Sequence, residues 1–180
     1  MQNTPPSARN VRQRWCSMNR WGIFSIIAIV GLVVDQATKL YVDRVMALHQ
    51  SIPVIDGLFS FTYLRNRGAA FSFLSNVSWR LPFFIGVTLV AAVVIIVALK
   101  KMRDDQRLAQ SALAMIFSGA IGNLIDRVRM GEVIDFLDVY WKTHHWPAFN
   151  VADSLICVGV ALVALDMLKE ERRQQLVADK

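Results

Sequence analysis

The chain reads as an all-α polytopic membrane protein: four transmembrane helices with a small extracytoplasmic β-element. Three observations predict this. The 180 residues are 54% hydrophobic with a positive mean hydropathy, too apolar for an ordinary soluble domain and too short for a large transporter. The apolar residues fall in four runs, each near the ~20 residues that cross a bilayer as a helix. Lys and Arg gather at alternate ends of those runs, the pattern the positive-inside rule gives a polytopic chain.

The elements follow in order. Residues 1–20 are polar and basic with Pro5-Pro6, and are expected to form a flexible cytoplasmic tail. The first span runs from Trp21 to Val34 and resumes past Asp35 to Val42. A cleaved signal peptide would also place basic residues before an apolar core, but it needs a small-x-small cleavage site. Asp35-Gln36-Ala37-Thr38-Lys39 stands there instead, so a retained helix is the better reading. Loop 43–79 carries strand, turn and strand: Ile52–Ile55, Asp56-Gly57, then Leu58–Leu64. Phe59, Phe61 and Tyr63 alternate with Ser60 and Thr62, so one face of the second strand is aromatic. That face packs in a core, or lies against bilayer or substrate.

The second span is Leu81–Leu99, the third Leu108–Ile125 and the fourth Trp146–Leu168, the last broken by Asp153 and Asp166. Ser118, Gly119 and Gly122 on the third span let a neighbouring helix approach closely. Residues 21–168 are thus expected to be one four-helix transmembrane domain, with 169–180 a second cytoplasmic tail.

The net charge of +6 would suit a nucleic-acid partner, but its distribution points to a membrane. Arg9, Arg12, Arg14 and Arg20 precede the first span, and Lys100, Lys101, Arg103 and Arg107 crowd the link between the second and third. Lys169, Arg172, Arg173 and Lys180 follow the fourth. The two other loops are longer and hold a thinner scatter (Arg44, Arg65, Arg67, Arg80, Arg127, Arg129, Lys142). Both termini are therefore expected in the cytoplasm, with Asp135 and the start of the fourth helix at the opposite face. Trp15, Trp21, Trp79, Tyr140, Trp141 and Trp146 near helix ends suit an interfacial belt. Cys16 and Cys157 should lie on opposite sides of the bilayer's middle, as two free thiols.

Polar residues at membrane depth are expensive and are usually functional. Asp35 and Lys39 are four apart on one helix and can pair; a structural ion pair is favoured there over catalysis. Asn123, Asp126 and Arg127, at the outer end of the third helix, read as a bracing network. Asn66 can bond a peptide or local backbone, and Gly68 suits a tight turn. Asn150 either caps the fourth helix or orients a carboxylate or substrate peptide. Asp135 and Asp153 have no adjacent Lys or Arg and lie among apolar residues near one membrane face. Two carboxylates sharing a site cannot both ionise easily, so one holds a proton and can act as acid while the other acts as base. The alternative is structural: Asp135 caps a turn, and Asp153 sits in a helix's first turn, where an acid suits the macrodipole.

Other hydrolytic chemistries fit worse. The sequence has no His-Glu-x-x-His zinc motif and no Gly-x-Ser-x-Gly elbow. His49, His144 and His145 fall in outer loops, and Lys39 has no evident serine partner. A proton-coupled transporter using Asp35, Asp126 and Asp153 as a relay is the rival reading. A relay should extend through the membrane's depth, yet the second span is uncharged.

Four stretches together resemble signal peptidase II, the lipoprotein signal peptidase of bacteria. They are Asp35-Gln36-Ala37-Thr38-Lys39; Asn66-Arg67-Gly68-Ala69-Ala70-Phe71; Gly119-Ala120-Ile121-Gly122-Asn123-Leu124-Ile125-Asp126-Arg127, continuing to Val133-Ile134-Asp135-Phe136; and Phe149-Asn150-Val151-Ala152-Asp153. Each is weak alone; the ordered set across residues 21–168 is specific. The resemblance implies an aspartic endopeptidase of the bacterial inner membrane that cuts diacylglyceryl-modified prolipoproteins before the lipidated cysteine. It implies Asp135 and Asp153 as the catalytic pair, with Asp35, Lys39, Asn66, Gly68, Asn123, Asp126, Arg127 and Asn150 supporting or contacting substrate. It further implies sensitivity to globomycin and no cofactor or metal. The expected partners are lipidated prolipoproteins and membrane lipids, with no nucleic acid, and the expected assembly is a monomer.

Overall fold

The structure is a computed structural model that describes residues 19–68 and 77–178. Its helices are α1 (Arg20–Val45), α2 (Arg80–Lys101), α3 (Arg107–Met130) and α4 (Val151–Ala178). All four are long and apolar enough to cross a membrane. Even α2, with 22 residues, spans ~33 Å at the helical rise, against a hydrocarbon core of ~30 Å. Only Ile95 and Leu99 of α2 are buried, so this helix is apolar all round and faces lipid. The chain is a multi-pass membrane protein.

One end of the bundle joins the start of α1 to the link between α2 and α3. Asn19 caps α1, its Oδ1 accepting from the Gly22 N–H at 2.8 Å. Arg20 Nε pairs with Asp104 Oδ1 at 2.9 Å, and its Nη1 donates to the carbonyl of Lys100 at 3.0 Å. Beneath them Phe24, Ala28, Ile95, Leu99 and Ala114 form a buried apolar cluster. The basic stretch 1–18 and residues 69–76, including Ala69, Ala70 and Phe71 of the second motif, lie outside the described residues.

Helix α3 is central and packs against the other three. Its glycines make this possible. A Cβ on Gly119 would collide with the backbone carbonyl of Ala152 on α4, and one on Gly122 with the carboxylate of Asp35 on α1. The first obstacle is backbone and cannot swing away. Gly119→Ala should therefore force α3 and α4 apart at the level of Ala152, costing about 1–3 kcal/mol, the usual penalty of overpacking. Thermal melting in detergent checks this; a variant as stable as the parent would contradict the close packing.

The opposite end carries a four-stranded antiparallel sheet in the order β1 (Ser51–Ile55), β2 (Phe59–Asn66), β3 (Val133–Trp141) and β4 (His144–His145). Gly57, at φ 77°, makes the turn between the first two strands. A second apolar cluster (Val42, Met46, Tyr63, Ile134, Phe136) fixes the sheet to α1.

The sheet is larger than the sequence reading. β1 and β2 fall where expected, but β3 and β4 were not foreseen. β3 pairs with β2 (Leu64 opposite Asp135, Asn66 opposite Val133), a partner that local pattern does not reveal. Asn66, expected in a loop beyond the strands, is the last residue of β2. The aromatic alternation is broken by a register shift between Phe61 and Leu64. Phe61 stays exposed while Tyr63 turns into the core. The Tyr63 hydroxyl donates to Asp43 of α1. The fourth helix begins at Val151, not Trp146, and continues through Ala178. His144 and His145 form β4, where His145 Nδ1 lies 2.9 Å from Asp138.

Candidate active site

Three segments meet where the sheet joins the bundle. The first is the start of β3. Strand side chains alternate between faces, and Asp135 points into a cavity of about 560 Å³ while Ile134 and Phe136 pack into the core behind it. Asp135 is only 3% exposed. Its carboxylate accepts from Asn66 Nδ2 (3.0 Å) on one oxygen and from Asn150 Nδ2 (2.8 Å) on the other. Burial raises its pKa to about 7 and the nearby charge of Asp153 adds to the rise, although both asparagine bonds oppose it.

The second segment is the start of α4. Asn150 and Asp153 form a reciprocal capping box. The Asp153 N–H donates to Asn150 Oδ1 at 3.0 Å, and the Asn150 N–H donates to Asp153 Oδ2 at 3.2 Å. Pro147 and this cap explain why the helix does not begin at Trp146. The other oxygen of Asp153, Oδ1, accepts from Asn123 Nδ2 at 2.8 Å. Asp153 is therefore both the helix-start acid of the structural alternative and a half-buried carboxylate facing the same cavity as Asp135.

The third segment is the facing pair α1 and α3, which holds a buried charge cluster. Lys39 Nζ lies 3.0 Å from Asp35 Oδ2 and 2.9 Å from Asp126 Oδ2, with all three side chains at most 1% exposed. The same ammonium donates to Asn123 Oδ1 at 2.9 Å. Asp35 also accepts from the Ala152 N–H (2.8 Å), satisfying the first turn of α4, and Asp126 accepts from the Ile134 N–H (3.3 Å), holding the start of β3. The expected Asp35–Lys39 pair is present, but it is part of a three-residue cluster that ties both acid-bearing segments to the bundle.

All three asparagines at the site have fixed amide orientations. Lys39 can only donate, so Asn123 must turn Oδ1 to it and present Nδ2 to Asp153. The Gly68 N–H occupies Asn66 Oδ1 at 2.9 Å, and the Asp153 N–H occupies Asn150 Oδ1. Their Nδ2 groups are left to Asp135. Gly68 serves through its backbone: its carbonyl also accepts from Arg127 Nη2 at 3.1 Å. Arg127 lines the cavity and stacks 4.6 Å from the centre of the Phe84 ring on α2.

Every expected site residue thus lies in one connected cluster. Gln36 was missed. Its Nε2 lies 3.1 Å from Asp35, 3.2 Å from Asp126 and 3.2 Å from the Gly122 carbonyl, bridging α1 and α3. An amide beside an acid in an apolar run was the available signal. Trp146 and Phe149 were also missed as one wall of the cavity; Ile156 and Cys157 of α4 continue the lining. Among the described residues no group of three or more His, Cys, Asp or Glu is placed to hold a metal ion.

The profile of the signal peptidase (SPase) II family matches residues 27–169. The chain is 72% identical over 152 residues to a lipoprotein signal peptidase of Geobacter metallireducens, covering 84% of this chain and 94% of that protein. It is equally similar to a lipoprotein signal peptidase of Geobacter sulfurreducens, 72% over 152 residues, covering 84% and 95%. Among solved structures it resembles a bacterial membrane enzyme determined by the in meso method at 2.3 Å resolution. There the TM-score is 0.76 at 33% identity, covering 83% of this chain and 90% of the other. The chain belongs to the signal peptidase II family.

Proposed function

We propose that this chain is an aspartic endopeptidase of the bacterial inner membrane, which removes signal peptides from diacylglyceryl-modified prolipoproteins by cutting before the lipidated cysteine. Asp135 and Asp153 are the catalytic pair. The observation that carries the reading is the shared cavity: two carboxylates on different elements line it, each bound by an oriented asparagine amide, with no ion pair to either among the described residues. Lys39 reaches Asp153 through Asn123, which accepts from its ammonium and donates to the carboxylate.

In the mechanism, the substrate's apolar signal helix enters between helices from the bilayer and its acyl chains stay in lipid. The scissile peptide reaches the outer, periplasmic face, with both termini of the enzyme in the cytoplasm. Asp135, whose pKa of about 7 keeps it protonated below neutrality, donates a hydrogen bond to the scissile carbonyl. Asp153 takes a proton from water as that water attacks the carbonyl carbon. The tetrahedral intermediate collapses when the leaving nitrogen is protonated, releasing the signal peptide's new carboxyl terminus and the lipidated cysteine's free amine. Arg127 and the apolar wall of Trp146 and Phe149 hold the peptide against the pair. Inhibition by globomycin and insensitivity to chelators accompany this reading.

The transporter reading has less support. The buried charges gather at one end of the bundle, and α2 has no charged residue between 81 and 99, so no relay extends through the membrane.

The pH dependence has a definite sign. Asp135 has a folded value above its ordinary one, so the stability linked to its proton is complete below the ordinary carboxylate range and is lost as pH rises through about 7. The acid form needed for catalysis is lost over the same upper range. Cleavage of a lipidated precursor should fall with a midpoint near pH 7. Because the Asn66 bond holds the value down, Asn66→Ala should move that midpoint upward. A kcat/KM profile across pH for both enzymes checks this; a fall that moved to lower pH in Asn66→Ala would contradict it.

A further inference from the structure

A second cavity, of about 520 Å³, lies on the far side of β3 from the site. Phe136, next to Asp135 in the strand, faces it, as alternation requires. Its other walls are Ala37, Tyr41 and Val45 along α1, Ile52 of β1 and Phe61 of β2. The size falls within the ~300–1,000 Å³ of ordinary ligand pockets, but those carry a few convergent polar groups. Here Thr38 is the one polar wall residue apart from the Tyr41 hydroxyl, and the Thr38 hydroxyl is already bonded to the carbonyls of Val34 and Asp35. The groove offers a ligand almost nothing but hydrocarbon contact.

Three observations indicate what fills it. The groove lies along a transmembrane helix, from Ala37 within the span to Val45 at its sheet end, so its long direction follows the bilayer normal. On and beside β1, the strand that supplies Ile52 to the wall, Leu48, Val54, Ile55 and Leu58 are all more than 40% exposed. An exposed apolar edge strand is a liability in water and is at home beside lipid. Finally, Arg44 shares the Tyr41 face of α1, three residues on, in the last turn of the helix beside Val45. It is exposed and forms no ion pair with any described residue. A cation at the polar end of an apolar, bilayer-aligned groove is complementary to a lipid phosphate.

We propose that this groove is a binding site for one bilayer phospholipid, an acyl chain lying against Tyr41, Val45, Phe61 and Phe136 and its phosphate at Arg44. The lipid is distinct from the substrate's own acyl chains, which belong with the cavity on the Asp135 side of the strand. Its chain packs against the Phe136 cluster that backs Asp135, so the bilayer supplies part of the support for β3.

The experiment rebuilds the full-length enzyme into vesicles of phosphatidylethanolamine and phosphatidylglycerol doped with a phospholipid bearing a photoactivatable acyl chain. Labelled peptides are mapped by mass spectrometry after irradiation, both in vesicles and after mild detergent extraction. Label at Tyr41, Val45 and Phe61 should survive extraction, while label at Val90 and Val93, on the lipid-facing surface of α2, is lost. Val45→Trp, or Ile52→Trp should the first fold poorly, fills the groove and should reduce the retained label about tenfold. Arg44→Gln should reduce it for the phospholipid probe and leave it unchanged for a photoactivatable diacylglycerol, which has no phosphate. Retained label no higher in the groove than on α2, or unchanged in both groove-filling variants, would overturn the proposal. So would displacement of the label by a stoichiometric lipidated precursor, which would assign the groove to substrate. None of these readouts depends on peptidase activity, so failure here and failure of the peptidase reading are distinguishable.

Discussion

Asp135→Asn and Asp153→Asn should each lower single-turnover cleavage of a lipidated precursor by about 10³-fold or more, in the upper part of what acid–base groups contribute. The two roles are coupled, so the double variant should be no slower than the worse single one. The variants should differ in stability. Asparagine at 135 removes a carboxyl that is costly to ionise, but it keeps an oxygen for only one of the Asn66 and Asn150 amides and turns its own NH2 group on the other. That variant's stability should therefore vary less with pH than the parent's through about 7, where the parent's Asp135 ionises. Asparagine at 153 loses the charge that complements the α4 N-terminus, and should melt lower by about 0.5–2 kcal/mol. Melting curves in detergent beside the cleavage assay separate a lost reaction from a lost fold. Near-normal cleavage by either single variant would remove the pair from the mechanism.

Lys39→Met should produce the largest loss of stability. Removing one partner of a buried ion pair costs about 3–5 kcal/mol because the other charge is left uncompensated. Here two carboxylates, Asp35 and Asp126, are left so. The damage should reach the reaction centre through three contacts: Asp35 to the Ala152 N–H, Asp126 to the Ile134 N–H, and Lys39 to Asn123. Combining Lys39→Met with Asp35→Asn and Asp126→Asn removes the stranded charges and should recover most of the stability. Activity should stay low, because nothing then compels the Asn123 amide to face Asp153. Stability and activity recovering together would mean that Lys39 acts only as a counter-charge. A triple variant no more stable than Lys39→Met would refute the electrostatic account altogether.

The spans were legible because the bilayer imposes a local rule: about 20 apolar residues wherever the chain crosses. The Asn150–Asp153 cap was legible for a similar reason, since its partners are three residues apart. β3 was not. Val133–Trp141 pairs with Phe59–Asn66 across two whole helices, and its apolar character read equally well as the approach to a membrane span. The bulge that turns Tyr63 inward and leaves Phe61 outside is likewise set by pairing with β3. For the site, the residues were legible and their connections were not. Asp35 and Lys39 at helical spacing announce a pair, but the contribution of Asp126 from α3 depends on how closely Gly122 lets the helices approach. Gln36 completes that junction and stood beside Asp35 unremarked. Arg127 read as one of a bracing network with Asn123 and Asp126; its guanidinium bonds the Asn123 carbonyl and also reaches Gly68 and Phe84, on elements far apart in the chain.

The most direct measurement is the protonation of Asp135 in the resting enzyme, followed by the infrared carbonyl stretch of buried carboxylic acids as pH is raised. The proposed mechanism predicts a protonated-carboxyl band at about pH 6, where one acid of the pair holds a proton. That band should disappear with a midpoint near 7 in step with the fall in cleavage, and be missing from Asp135→Asn. A resting enzyme with Asp135 ionised throughout its active pH range would contradict the assignment of Asp135 as the proton donor of an aspartic pair.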